Sequence, residues 1–543
     1  MRRRRLADTI ARIGLLLVPA TAALPVLGAG PAFAATLNVC PSGCPYAEIA
    51  PALAAAHDGD TIKIGAGTYD GGLTVDVSVK LVGAGANSTI ISGGGPVVTI
   101  GEFGASSVPT VSIAGVTITD GITRSSPEST PFTGEEGVFA VGGGVEIPPN
   151  ADFSGGATVT ISNSVIRGNR VAPSDTAPTD LDCPGGPCPF AFAGGGGIDS
   201  WGTLTLSNTT VSDNRVGSAS GLSALASDAD GGAITSFLGP LRVSGSVIHG
   251  NRASATGPNA RFAEGGAIAA FGGTVKVADS SITGNHAALV ASLPDSVEML
   301  ANGGAIHVAG EVPTMRISTT RIDGNSIRMT NSVGDSEAFS GGIHVNPGTD
   351  FTMSNTVVAD NRVNSATLAG SSGNAEGDSG AGELQGTISN TRFTGNTVTA
   401  SSAAGDATAF AGALMYFGSI TTSVISDNHV HASSPNGTVF AGAGAIAVDE
   451  LGATVRTSQL SANTVGANGA SGSAQGGGIF NAPITDGPPG GPLKLVDTRV
   501  TGNALSGSPG IALQGGGLFI ENEPLTLTHS VIANNSPDQC FGC

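Results

Sequence analysis

The sequence is poor in aromatic and charged residues. Aromatic side chains make up 4% of the 543 residues, with a single tryptophan, and charged side chains make up 12%, whereas there are 84 glycines. This composition does not fit a globular α/β enzyme and favours stacked strands joined by tight turns. The charge is one-sided, with 42 acidic and 23 basic residues. Such a surface repels nucleic acid, anionic lipid and polyuronates unless cations intervene, so we expect no nucleic-acid partner.

Long apolar runs are absent after the first 34 residues. Residues 1–34 combine a basic start, Arg2 to Arg5, an apolar stretch from Ile13 to Leu27 and the small-x-small site Ala32-Phe33-Ala34, which is the pattern of a secretory signal peptide. Without them the chain has 18 basic and 41 acidic residues, a formal charge of −23. The signal peptide predicts a secreted protein, extracellular or cell-wall associated. No later segment has 18 uninterrupted apolar residues, so we expect no transmembrane segment after the signal.

Cysteine is scarce and falls into three local pairs. These are Cys40 with Cys44, Cys183 with Cys188, and Cys540 with Cys543. An exported chain can keep disulfides, so we expect three short disulfide loops. The alternative is a metal site in which Cys540 and Cys543 supply two thiolates. In a linear stack of repeats the terminal pairs lie too far apart to share a metal, which favours the disulfides.

The sequence does contain a repeated six-residue phrase: Ser/Thr, any residue, Val/Ile/Leu/Phe, any residue, Gly/Asp/Ala/Asn, Asn. Its period of roughly 37 residues indicates one elongated solenoid. Equivalent residues of a parallel solenoid stack about 4.8 Å apart, so the closing asparagines should form a structural hydrogen-bonded ladder, and the apolar position an internal stripe. The eleven asparagines are Asn169, Asn214, Asn251, Asn285, Asn325, Asn361, Asn396, Asn428, Asn463, Asn503 and Asn535.

The N-terminal part has a second pattern. Pro45 to His57 is predicted to form a helix that Asp58-Gly59-Asp60 ends, followed by an alternating strand, Thr61-Ile62-Lys63-Ile64, and the turn Gly67-Thr68-Tyr69. This order resembles the entry into the right-handed parallel β-helix of the pectin lyase-like superfamily. The resemblance implies that the helix covers the open end of the first coil, which would otherwise expose unpaired backbone groups.

A glycine-rich strand such as Gly143-Gly144-Val145 precedes each phrase, and Phe393-Thr394-Gly395-Asn396 closes one of them. Together these repeats resemble the polymorphic outer-membrane protein family, although we expect neither that family's C-terminal membrane barrel nor autotransport. The fold we predict is all-β, a single-stranded right-handed parallel β-helix of about 14 coils with an N-terminal capping helix. Its segments are a signal peptide (1–34), a cap (35–60), irregular first coils (61–139), regular repeats (140–536) and a Cys-containing tail (537–543).

Candidate site residues follow the internal apolar residue of the glycine-rich strand, where alternation should point them outward. Glu146 and Asp199 would lie one rung apart, and could share a calcium ion or act as a carboxylate pair. The alternative, which we favour, is two solvated acids. His307 and His344 would also stack, and could bind a transition metal or respond to pH, although two imidazoles without a third ligand are more often simply surface residues.

An aromatic strip is predicted two residues further along the same strands, formed by Trp201, Phe237 and Phe271. Flat rings in a row suit sugar faces, since they bury apolar C–H surface. Alternatively, they cover a turn beneath a long connector. The connectors at 170–193 and 286–302, rich in Ala, Ser, Gly and Asp, are the candidate walls of a cleft.

Catalytic motifs of the superfamily's polysaccharide-active members are not found, and the basic residues Arg167, Arg242, Lys276 and Arg321 are scattered among the phrases. Fold alone does not confer activity. We therefore predict a non-catalytic, monomeric, extracellular or cell-surface binding or structural protein, adhesin-like, with polysaccharide or cell-surface glycan as partner. We expect no cofactor, with calcium as the candidate ion. The alternative is a polysaccharide lyase or glycoside hydrolase that uses the outward face of the glycine-rich strands.

Overall fold

The computed structural model describes residues 34–124, 138–173, 190–217, 226–257, 260–294, 299–310, 312–483 and 491–543. These residues form an all-β parallel solenoid with almost no helix, in agreement with the predicted fold class. The predicted signal peptide, apart from Ala34, lies outside the described residues.

Two of the three expected disulfides are present in the described part of the chain. They join Cys40 to Cys44 and Cys540 to Cys543. Both terminal pairs are therefore disulfides, and the alternative in which Cys540 and Cys543 offer two thiolates to a metal was wrong. The third expected disulfide, between Cys183 and Cys188, falls outside the described residues. The pairing of Cys183 with Cys188 stays a prediction.

Each regular turn contains five strand positions, which we name in chain order the glycine-rich, alternating, phrase, outgoing and return strands. The first two share a 26-stranded sheet, the phrase strands form a 14-stranded sheet, and the outgoing and return strands form sheets of 11 strands each. The expected number of about 14 coils therefore applies to the phrase sheet alone. Complete turns number about eleven, because the first two turns and the last lack outgoing and return strands.

The main body of the solenoid is formed by three strand types. The glycine-rich strands are Leu73–Val75, Val98–Ile100, Val145–Ile147, Ile198–Ser200, Ile234–Phe237, Ile268–Phe271, Ile306–Ala309, Ile343–Val345, Ile479–Asn481, Leu518–Ile520 and Cys540–Phe541. The alternating strands are Thr36–Val39, Thr61–Ile64, Lys80–Gly83, Thr110–Ala114, Thr158–Ser162, Thr203–Ser207, Leu241–Ser244, Thr274–Ala278, Thr314–Ser318, Asp350–Ser354, Leu493–Val496 and Leu525–Thr528. Three strands continue through both positions: Gly382–Ser389, Leu414–Thr421 and Ile446–Arg456. The phrase strands are Gly67–Asp70, Thr89–Ser92, Thr117–Thr119, Val165–Arg167, Thr210–Ser212, Val247–His249, Ser281–Thr283, Arg321–Asp323, Val357–Ala359, Arg392–Thr394, Val424–Ser426, Gln459–Ser461, Arg499–Thr501 and Val531–Ala533.

The other two strand types form a lobe beside the main body. The outgoing strands are Ile122–Thr123, Arg170–Val171, Arg215–Gly217, Arg252–Thr256, His286–Ala291, Ser326–Asn331, Arg362–Thr367, Thr397–Ser401, His429–Ser433, Thr464–Asn468 and Ala504–Gly507. The return strands are Val138–Val141, Phe190–Gly194, Ala226–Asp230, Ala260–Glu264, Leu300–Asn302, Ser336–Phe339, Ala375–Asp378, Ala407–Phe410, Thr438–Gly442, Ser471–Gln475 and Ile511–Gln514.

This lobe is the main departure from the sequence-based expectation, which treated these segments as connectors. The outgoing and return sheets enclose a core of their own, made largely of small side chains such as Ala255, Ala263, Ala287 and Ala301. Because alanine is a weak hydrophobic signal and is depleted in strands, the alternation of these segments does not stand out in the sequence. The main core lies separately between the 26-stranded and phrase sheets.

The N-terminal helix, α1, spans Ile49–Ala54 and is shorter than the predicted Pro45 to His57. Pro51 has no N–H to donate to residue 47, so it is tolerated only in the first turn of the helix. Tyr46 instead forms a bridge to Val39. The helix buries Ile49 and Leu53 and packs against the first strands of the solenoid. Within the described residues, no helix is long and apolar enough to cross a membrane.

The phrase asparagines form a continuous ladder. Each buried side-chain amide donates to Oδ1 of the asparagine one turn further on, at 2.8 to 3.0 Å, from Asn169 to Asn535. The same Oδ1 also accepts the preceding asparagine's backbone N–H, as between Asn285 and Asn325. Gln539 ends the ladder by accepting from the amide of Asn535. The ladder is therefore part of the scaffold.

Glycine in the glycine-rich segment is required by a close approach between neighbouring turns. A Cβ atom on Gly232 would collide with the carbonyl oxygen of Gly266 and with the backbone of Arg252 in the lobe. Gly266 stands in the same relation to Gly304 and His286. The recurring glycine thus lets the return strand turn tightly into the next glycine-rich strand.

Candidate functional site

The return sheet lies against the outer face of the glycine-rich strands, and we call the interface between them the crease. A residue with left-handed backbone conformation connects a return strand to the next glycine-rich strand, as at Gly231, Gly265 and Gly303. Because the connection is so short, the last side chains of the return strand face the first outward side chains of the glycine-rich strand. The crease contains the polar residues Glu146, Asp199, Thr235, His307, His344 and Glu383 from the glycine-rich strands, and Asp228, Asp230, Glu264, Asn302 and Asp378 from the return strands.

The predicted outward positions are consequently not solvated. Asp199 is completely buried, and His307 and His344 are 2% and 8% exposed. Glu146 is half-buried. The register places Glu146 beside Asp199 and His307 beside His344 on adjacent rungs. The expectation of surface acids and surface imidazoles was therefore wrong, because the return sheet covers this face.

Sequence reasoning missed the return-strand residues of the crease, since it assigned them to connectors. Asp230 pairs in register with Glu264 on the next turn, and Glu264 pairs with Asn302 on the turn after that. Glu383 was missed for another reason: its turn has Gly382 at the internal position, which disguised the repeat. Aligning Gly380-Ala381 with the glycine pairs of the neighbouring turns would have identified Glu383 as the outward residue.

Two carboxylate–imidazole pairs lie in the middle of the crease. Nε2 of His307 is 3.3 Å from Oε2 of Glu264, and Nδ1 of His344 is 3.5 Å from Oε2 of Glu383. The two rings stack, with centroids 5.1 Å apart and planes 14° apart. Burial, together with the neighbouring His344, lowers the pKa of His307 well below its usual value. His307 is therefore neutral at physiological pH.

The acids of the crease are desolvated, and their pKa values rise. Burial raises the pKa of Glu264 to about 7, although a hydrogen bond from Asn302 has the opposite effect. Burial also raises the pKa values of Asp199, Asp228 and Asp230 well above the usual value. Repulsion from Glu146 raises the pKa of Asp199 further, and repulsion from Glu264 does the same for Asp228 and Asp230. Perturbed pKa values of this kind cluster at functional sites.

Several buried polar atoms of the crease lack a hydrogen-bond partner within the described part of the chain. They include both carboxyl oxygens of Asp199, one oxygen each of Asp228 and Asp230, Oδ1 of Asn302 and both ring nitrogens of His307. Nε2 of His307 is close to Glu264, but the approach does not have hydrogen-bond geometry. A buried unpartnered polar atom costs about 1–3 kcal/mol, so such a cluster indicates that water or a polar ligand completes it.

Metal binding has no preformed ligand set here. Across the described ranges, no group of three or more His, Cys, Asp or Glu side chains is arranged to hold a metal ion. The stacked rings of His307 and His344 direct their in-plane lone pairs side by side, so they do not converge on one ion. Calcium at Glu146 and Asp199, and a transition metal at the histidines, stay predictions.

The aromatic strip lies on the rim of the crease and uses its ring faces for packing. Trp201 stacks on Phe237 with centroids 4.5 Å apart, and Phe237 stacks on Phe271 at 5.3 Å. Phe192, from a return strand, reaches Phe237 across the crease with centroids 5.9 Å apart. Both faces of Phe237 are therefore covered, and a sugar could meet only the ring edges. The predicted sugar-face platform does not exist at this ring.

Polarity changes along the crease. Towards the C-terminus the equivalent positions carry Phe410, Ala447, Phe480 and Phe519, which form a separate apolar cluster. Two shallow depressions of about 420 and 510 Å³ lie on the phrase sheet instead, but their lining does not include the buried acids. The chemistry-bearing side chains are thus confined to the turns between Glu146 and Glu383.

Comparison with known proteins does not assign the chain to a family. No family model matches it, and no curated protein matches it. Solved structures that match include the A-module of the mannuronan C-5 epimerase AlgE6 from Azotobacter vinelandii, with 12% sequence identity over 90% of this chain and 94% of that module and a TM-score of 0.26. A TM-score this low carries no functional argument. The resemblance to the pectin lyase-like superfamily and to the polymorphic outer-membrane proteins stays a prediction.

Proposed function

We propose that this is a secreted protein that binds a neutral polysaccharide along the crease, between Glu146 and Glu383, without cleaving it. The observation that carries the proposal is the row of polar side chains at the crease, in which buried atoms of Asp199, Asn302 and His307 have no hydrogen-bond partner in the described part of the chain and would be reached from a glycan at the rim through bridging water. Sugar hydroxyl groups both donate and accept hydrogen bonds, so a glycan can satisfy a mixed set of this kind. Secretion is inferred from the signal-peptide pattern of residues 1–34.

Electrostatics favours a neutral glycan over an acidic one at this site. The crease contains five carboxyl groups whose pKa values burial raises, those of Glu146, Asp199, Asp228, Asp230 and Glu264. An anionic sugar would be desolvated beside acids that themselves resist ionisation, and each carboxyl group that does ionise would repel it. The half-exposed ring edges of the aromatic strip provide apolar contact at the rim.

Binding can be measured through Trp201, because it is the only tryptophan and lies on the rim. We expect soluble neutral oligosaccharides to change the intrinsic fluorescence of residues 35–543 in a saturable way and to protect Trp201 from acrylamide quenching. Anionic oligosaccharides of the same length should leave Trp201 unchanged. If no member of a broad panel of neutral glycans shifts the fluorescence, the crease is not the glycan site.

A matched pair of variants locates the site on the crease. Phe271→Ala removes a half-buried ring beside the polar cluster, and we expect about tenfold weaker binding, since a well-packed aromatic contact contributes on the order of 1 kcal/mol. Phe417→Ala removes a half-buried ring from the same strand position in the apolar half. Affinity should be unchanged in this control. Equal weakening by both variants would indicate a general loss of packing and would contradict the assignment.

The second candidate function is glycoside hydrolysis, favoured by one observation. Glu264 has a pKa of about 7, so a large fraction is protonated at neutral pH, and its register partner Asp230 lies on the adjacent rung. A glycosidase acid pair combines a protonated carboxylic acid with an ionised carboxylate. Glu264 fits the first role, whereas burial also raises the pKa of Asp230 and disfavours the second. Release of reducing ends that disappears in Glu264→Gln, Glu146→Gln or Asp199→Asn would establish this function and overturn the non-catalytic proposal. We expect no release.

A further inference from the structure

A row of basic side chains runs along the outer face of the outgoing sheet, whereas the crease contains mainly acids. Arg170, Arg215, Arg252 and His286 are register partners on four consecutive turns, each directly after a phrase asparagine. Arg362 lies in the same row two turns beyond His286, and Arg328, on the turn between them, lies two residues further along its strand than that row. The five arginines are exposed, and His286 is half-buried. We call these six residues the arginine ladder.

The ladder concentrates positive charge on a strongly acidic protein. Five of the 18 basic residues that follow the signal peptide lie in it. Among the described residues, the arginines that pair with an acid within 4.0 Å are Arg316 and Arg321, neither of which belongs to the ladder. Arg252 and Arg328 instead donate to the hydroxyls of Ser254 and Thr330, both at 3.4 Å.

This arrangement is unfavourable unless an anion is present. Like charges directly opposite on neighbouring strands, about 4.8 Å apart, repel each other. The repulsion registers at His286, whose pKa is lowered to about 4 by burial and then by Arg252 and Arg328. An exposed row of like charge, without a counter-charge in the described part of the chain, therefore points to an external anionic ligand that runs parallel to the solenoid axis.

We propose that the arginine ladder binds a linear anionic polysaccharide of the uronan class, which carries one carboxylate on every sugar. Arg170, Arg215 and Arg252 present guanidinium groups on three consecutive rungs about 4.8 Å apart, a spacing similar to the length of a pyranose unit, and Arg362 continues the same row three rungs after Arg252. Guanidinium groups bind carboxylates in a bidentate manner. This site goes beyond the neutral-glycan site of the crease. It differs from the expectation that the net negative charge repels polyuronates, because local charge governs the contact.

The test is equilibrium binding of residues 35–543 to polygalacturonate and to its fully methyl-esterified form, as a function of sodium chloride concentration. We expect binding to the acid form only, with an affinity that falls steeply with salt because counterions are released. Arg215→Gln/Arg252→Gln should weaken this binding by about tenfold or more, since it removes two adjacent bidentate contacts. The control Arg456→Gln/Arg499→Gln makes the same change in net charge at exposed arginines outside the ladder and should bind as the wild type does.

Three outcomes would overturn the assignment: no binding to polygalacturonate, equal weakening by the two double variants, or tighter binding to single-stranded DNA of the same length than to polygalacturonate. Far-ultraviolet circular dichroism of both variants checks that they fold. The Trp201 response to neutral oligosaccharide should be the same in wild type and in Arg215→Gln/Arg252→Gln. Failure of the ladder proposal and failure of the crease proposal are thereby distinguished.

Discussion

Replacing Asn325 with alanine should lower the free energy of unfolding by about 4 kcal/mol. Oδ1 of Asn325 accepts hydrogen bonds from both the backbone N–H and the side-chain amide of Asn285. Its own amide donates to Asn361 and to the carbonyl of Ile282. Alanine would leave two donors of Asn285 and the Ile282 carbonyl without these partners in the interior. Each such group costs about 1–3 kcal/mol.

The measurement is urea-induced unfolding followed by circular dichroism, with Asn364→Ala as control. Asn364 lies on an exposed position of an outgoing strand one turn further on, so its loss should change stability by less than about 0.5 kcal/mol. A stability of Asn325→Ala equal to that of the control would show that the ladder contributes nothing. It would also remove the reason for the repeated asparagine in the phrase.

Replacing Asp199 with asparagine should stabilise the protein increasingly as pH rises. Asp199 is fully buried, and its folded-state pKa is raised well above the unfolded value, first by burial and then by Glu146. Folding therefore favours the protonated form of Asp199. As pH rises from about 4 towards the folded pKa, the free energy of unfolding falls by up to about 1.4 kcal/mol for each pH unit. Asparagine stays neutral and removes this dependence.

Above about pH 6.5 the pH dependence of stability reports on the buried acids and not on His307. His307 has a lowered pKa, so it removes stability only as pH falls below about 6.5, the unfolded value. Above about pH 6.5 the Asp199→Asn variant should gain stability on the wild type as long as the pH stays below the folded pKa of Asp199, with a slope of up to about 1.4 kcal/mol for each pH unit. The control Asp76→Asn changes an exposed acid and should follow the wild type. Parallel pH profiles for Asp199→Asn and the wild type would contradict a desolvated Asp199.

Much of the scaffold could be predicted because the repeat has an invariant polar position at each turn. The phrase fixes the period and places residues such as Ile282 and Phe393 in the core. Strand alternation also correctly brought Glu146 beside Asp199 and His307 beside His344. These are local relations that depend only on strand geometry and stacking.

The crease could not be predicted because it depends on a contact between two sheets whose strands are far less obvious in the sequence. The return strands carry alanine in the lobe and single acids such as Asp230 and Glu264 at the crease. Such segments read as polar connectors, and nothing in the sequence indicates that they cover the glycine-rich strands. The burial of Asp199 and the approach of Glu264 to His307 follow only from that packing.

The most direct test of the central claim is a crystal structure of residues 35–543 with the neutral oligosaccharide that gives the largest Trp201 response. We expect sugar density along the rim of the crease, with hydroxyl groups connected through bridging water to the buried crease atoms that lack partners. Sugar density on the phrase sheet or the outgoing sheet, with the crease filled by water alone, would contradict it.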